Sequence, residues 1–149
     1  MYHLCRVRCC RNSGCLNGME TMDSQDHSLL EALRKVVRNN HDEWERTLGS
    51  PELGPCWPVA RVIADAGYGK VWYCRTSAAG KDAWWGHFIV RTPFTNQILD
   101  VAGEYVTSDE LPDYKDFNFE DATLMHPRYT IEHVNFWRER LMPILWRNR

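Results

Sequence analysis

The stretch that most restricts the fold runs from Gly54 to Gly69. Gly54-Pro55-Cys56-Trp57-Pro58 reads as a tight turn into a helix, because proline is tolerated in a first helical turn, where its missing N–H has no partner to lose. Residues 57–67 then carry Val59, Ala60, Val62, Ile63 and Ala66, apolar on most sides. A helix of that kind must be covered all round, so it belongs at the centre of the molecule. Gly67-Tyr68-Gly69 is its stop.

Three strand candidates follow at once. Lys70–Thr76 and Trp84–Thr92 are aromatic and β-branched, and Gln97–Val101 is a shorter third. Ser77–Asp82 and Pro93-Phe94-Thr95-Asn96 are the turns between them. Short turns between successive strands imply an antiparallel meander. Positions 87 and 100 then fall on neighbouring strands.

Two amphipathic helices flank this unit. Over residues 26–48, Leu29, Leu30, Leu33, Val36, Val37, Trp44 and Leu48 recur at helical spacing. Asp26 or Ser28 serves as its N-cap, and Gly49-Ser50-Pro51 ends it. Asn39-Asn40-His41 interrupts its apolar face, which leaves open a kink, a break or a polar window onto a cleft. Over residues 130–146, Ile131, Val134, Trp137 and Leu141 keep the same spacing, with Thr130 as N-cap. Pro143 is expected to end or kink that helix. Residues 104–129 read as a long irregular segment with room for one short helix or strand. The fold class expected is α+β, in a single domain over residues 26–149.

Residues 1–25 show neither helical nor strand period and form a flexible tail rich in cysteine. His3, Cys5, Cys9, Cys10 and Cys15 lack the two separated ligand pairs of a zinc site, so no metal and no cofactor is expected. With no apolar run after the early arginines and no spanning segment, the expected setting is cytoplasmic, without membrane contact. A net charge of -2 and a pI near 6.3 speak against nucleic acid as partner.

The chemistry-bearing residues lie in the central unit. Cys56 opens the helix, His87 stands in Gly-His-Phe-Ile-Val, and Asp100 stands in Ile-Leu-Asp-Val. A thiol attacks only as thiolate, and both a helix N-terminus and an imidazolium favour that form. Asp100 would hold the second ring nitrogen of His87. Cys74, inside an apolar strand, suits an inert buried role. His41, His126 and His133 are the alternative bases, with His126 in an exposed loop and His133 on a solvated helix face. Trp57, Trp85 and Asn40 are candidates to line a substrate cleft; for the tryptophans the competing role is core packing.

This order resembles the transglutaminase-like and papain-like cysteine enzymes, and its short spacings are similar to the transglutaminase-like and arylamine acetyltransferase branch. The resemblance implies a central nucleophile helix packed on an antiparallel sheet, and a Cys56-His87-Asp100 triad. It covers about a third of the chain. Papain-like enzymes carry a glutamine shortly before the cysteine for the oxyanion; here Ser50 and Glu52 occupy that region. The activity implied is hydrolysis or acyl transfer on amide or isopeptide bonds, by a protease, amidase, deamidase or transglutaminase-like enzyme. The substrate would be a protein, a peptide or a small amide. The alternative is a non-catalytic protein-binding module on the same fold.

Overall fold

The computed structural model describes residues 24–49, 53–76, 85–94, 97–102, 118–124 and 126–148. The readings made for the N-terminal tail therefore lie outside the described residues. Three α-helices and a four-stranded antiparallel sheet make up the described chain: α1 (Ser24–Thr47), α2 (Cys56–Ile63), β1 (Lys70–Thr76), β2 (Trp85–Arg91), β3 (Ile98–Leu99), β4 (Asn118–Asp121) and α3 (Ile131–Arg147). The architecture is α+β. No described helix is long and apolar enough to cross a membrane.

Helix α1 runs unbroken through Asn39-Asn40-His41. The amide of Asn40 donates to the Val36 carbonyl at 2.7 Å, and its oxygen accepts from Arg140 Nε of α3 at 3.2 Å. The polar side chain is thus used on the helix surface and against a neighbour, and no break is needed. The helix also begins at Ser24, so Asp26 and Ser28 are inside it and do not cap it. Leu29, Leu30, Leu33, Val37 and Trp44 form its buried face.

Helix α2 starts at Cys56, one residue earlier than the spacing suggests, and seven of its eight residues are buried. It continues into a π-helical turn, Ala64–Tyr68, where Gly67 takes a φ of 95° that favours glycine. Gly69 then passes so close to β2 that a Cβ would sit 2.2 Å from the Arg91 carbonyl oxygen. That approach sets how α2 hands over to β1.

The strand order is β3-β2-β1-β4, all antiparallel. β1 has the bounds its aromatic and β-branched run implies. β3 is shorter than the residues 97–101 expected, and β4 comes from the segment read as irregular. Register sorts the side chains by face, since neighbours alternate. Val71 pairs with Val90, Tyr73 with Phe88, and Val90 with Leu99, and this face joins the helices in the core. Trp72, Cys74, His87, Ile89, Arg91 and Ile98 leave from the other face. There the Arg91 guanidinium lies 5.0 Å from the Trp72 ring and 4.8 Å from Phe119 of β4, a cation–π contact that ties the outer strand to the sheet.

Helix α3 continues through Pro143 to Arg147. Pro143 is exposed, so its ring meets solvent, while Leu141 and Leu145 on either side are buried and hold both halves. Packing overrides the lost backbone bond. Thr130 caps the helix, and its N–H donates to His133 Nδ1 at 2.9 Å. The other nitrogen of His133 donates to the Leu48 carbonyl at the end of α1 at 3.2 Å. His133 is therefore buried at a helix junction and is not on a solvated face: its ring also packs edge-on against Trp44 and Tyr129.

Candidate active site

His87 and Asp100 come together. Asp100 follows β3 and stands diagonally across from His87 on the same sheet face, a separation that long side chains bridge. His87 Nε2 donates to Asp100 Oδ1 at 2.6 Å, and the two side chains are 0% and 3% exposed. A proton on Nε2 leaves Nδ1 with its lone pair in the neutral ring. Nδ1 is buried and has no hydrogen-bond partner among the described residues.

Cys56 holds the first position of α2, with no side-chain cap before it. It is fully buried within the core that includes Val71, Phe88 and Val90. Its sulfur is disulfide-bonded and makes no hydrogen bond to His87 Nδ1. By strand alternation Phe88 faces that core and His87 faces away from it. The described ladder between β3 and β2 pairs Val90 with Leu99 and Arg91 with Ile98.

Cys74 is the cross-strand partner of His87 and donates its S–H to the His87 carbonyl at 3.3 Å. Burial, and after it the Asp100 carboxylate, push its thiol well above the usual range. A thiol held protonated is a packing group.

The other candidates are placed as follows. Trp57 is a core residue here and not a cleft wall: it is 1% exposed and stacks on Tyr129. Asn40 is engaged by Val36 and Arg140. The side chain of Trp85 is outside the described ones. His41 lies on α1, 3.8 Å from Glu45. His126 is half-buried, not exposed, between the rings of Phe88 and Tyr129. Burial, and then the Arg128 charge, hold its pKa down. A groove of about 400 Å³ between α1 and α3 is lined by Glu43, Leu48, Glu132, Phe136, Glu139 and Arg140, and none of the candidate residues lines it.

Sequence reasoning missed Arg34. It is 7% exposed, and its Nε donates to the Asp100 carbonyl at 3.0 Å while Nη1 donates to Glu31 Oε1. It anchors the backbone that carries the carboxylate. The signal was a cation on the apolar face of α1, between Leu33 and Val37, since arginine is rarely buried without a partner. No family model, no curated protein and no solved structure matches this chain.

Proposed function

We propose that the chain is a cysteine-nucleophile hydrolase or acyltransferase on a papain/transglutaminase-like fold, acting on amide or isopeptide bonds. The observation that supports it best is the buried His87–Asp100 pair, which keeps Nδ1 as the free base. Once an external thiol reductant has opened the Cys56 disulfide by thiol–disulfide exchange, being itself oxidised to a disulfide, the Cys56 thiol passes its proton to Nδ1 and its sulfur attacks the carbonyl carbon. The C–N bond then breaks, and the imidazolium returns the proton to the leaving amine. Water or an acceptor amine, deprotonated by the same nitrogen, releases the acyl group from sulfur. Backbone N–H groups at the start of α2 are the donors for the oxyanion. This reading requires the sulfur to come within roughly 4 Å of Nδ1.

A second reading, a non-catalytic protein-binding module, is favoured by the complete burial of Cys56 in a disulfide and by the direction in which His87 leaves the sheet. Iodoacetamide labelling of the reduced protein, resolved by site across pH, separates the two. The enzyme reading expects Cys56 to react faster than Cys74 near neutral pH and to slow when His87 is changed to Gln. Equal rates at both cysteines, or no effect of His87→Gln, would leave the binding module.

A further inference from the structure

A ladder of rings joins the residue after Cys56 to the residue after His87. Trp57 stacks on Tyr129 at 5.4 Å and 24°. Tyr129 meets His126 edge-on at 5.4 Å and 72°, and His126 meets Phe88 edge-on at 5.4 Å and 82°. These separations and tilts are the ones aromatic pairs prefer. Each inner rung is also pinned from outside. The Tyr129 hydroxyl donates to the Gly54 carbonyl at 2.7 Å, two residues before Cys56. His126 Nδ1 accepts the Arg128 N–H at 3.2 Å. Tyr129 is 3% exposed, so the ladder is internal at that point.

We propose that Tyr129 and His126 are positioning residues whose rings set the distance between the start of α2 and strand β2, the two elements that carry Cys56 and His87. The inference rests on the cysteine-enzyme reading and adds to it a spacer from outside the central unit. Neither residue touches the reacting atoms. Tyr129 acts through Gly54 and Trp57, and His126 acts through Phe88. Residues 126–130 lie directly before α3, so the cap that starts α3 also places the two rings.

The test uses the full chain, reduced, with the rate of Cys56 alkylation by iodoacetamide read by mass spectrometry against Cys74. Loss of one hydrogen bond or one ring contact is expected to slow Cys56 by about three- to tenfold in Tyr129→Phe and in His126→Ala. His126→Phe keeps a ring and is expected to stay within about twofold of the parent. In a His87→Gln background the Tyr129→Phe effect should shrink below about twofold, because no base remains to be misplaced. Simple loosening of the fold would do the opposite and speed both buried cysteines. Such speeding overturns the proposal, as does full slowing that persists without His87, or a His126→Phe as slow as His126→Ala. If His87→Gln alone leaves the parent rate unchanged, the enzyme reading fails first and the spacer with it.

Discussion

Replacing Asp100 by alanine should cost this fold about 1–5 kcal/mol. The carboxylate accepts from a histidine with no exposed surface, at 2.6 Å. Its loss strands a buried donor, which costs about 1–3 kcal/mol for a neutral group and about 3–5 kcal/mol if the pair is ionised. Arg34 bonds the main-chain carbonyl of Asp100, so the backbone anchor survives and the change isolates the side chain. Asp100→Asn keeps an acceptor oxygen in place and should cost only about 1 kcal/mol. Urea unfolding of the reduced protein reads both. With a slope of about 1–3 kcal/mol per molar, a loss of about 3 kcal/mol moves the midpoint by about 1–3 M. In the double variant with His87→Gln the losses should not add, since both changes remove one interaction. An alanine variant that loses less than about 1 kcal/mol, or that matches the asparagine variant, would refute the account of a buried, interdependent pair.

Two further outcomes follow from the geometry. Cys74 holds its proton more tightly folded than unfolded, because burial and then Asp100 raise its pKa. That contribution is complete below the unfolded thiol value, about 8.5, and is lost as pH rises beyond it toward the folded value. Urea midpoints between about pH 8 and 9.5 should therefore fall for the parent and stay flatter for Cys74→Ala, and identical slopes would contradict this. Gly49→Ala places a Cβ 2.1 Å from Trp44 Nε1, on an indole that is fully buried and donates to the Leu53 carbonyl. Overpacking and a weakened bond together cost about 2–4 kcal/mol. That should lower Tm by about 4–16 °C in thermal melts, and an unchanged Tm would show that the turn shifts freely.

Some of the fold was legible because local chemistry decides it. The run Lys70–Thr76 has strand composition from end to end, and Thr130 is a cap wherever a helix begins after it. The His87–Asp100 contact was legible because a short turn between adjacent strands leaves few registers open. Other features turn on partners far along the chain. His133 looked solvated beside Glu132, yet it closes the end of α1 through Leu48, which lies 85 positions away. Pro143 looked like a stop, yet Leu141 and Leu145 carry the helix across it. Strand β4 exists because Phe119 and Asp121 find partners on β1, and its own sequence is too polar to announce that.

The sequence by itself determined that an apolar helix beginning near Cys56 would be central, that strands would follow it in antiparallel order, and that helices would flank both. Those outcomes depend on period, turns and caps, which act over a few residues. Only the tertiary structure decided which face each strand turned toward the core. That choice put Phe88 against α2 and His87 beside Cys74 and Asp100. The physical reason is burial: Val71, Phe88, Val90 and Leu99 offer more apolar area to the helices than the face holding a histidine and an aspartate.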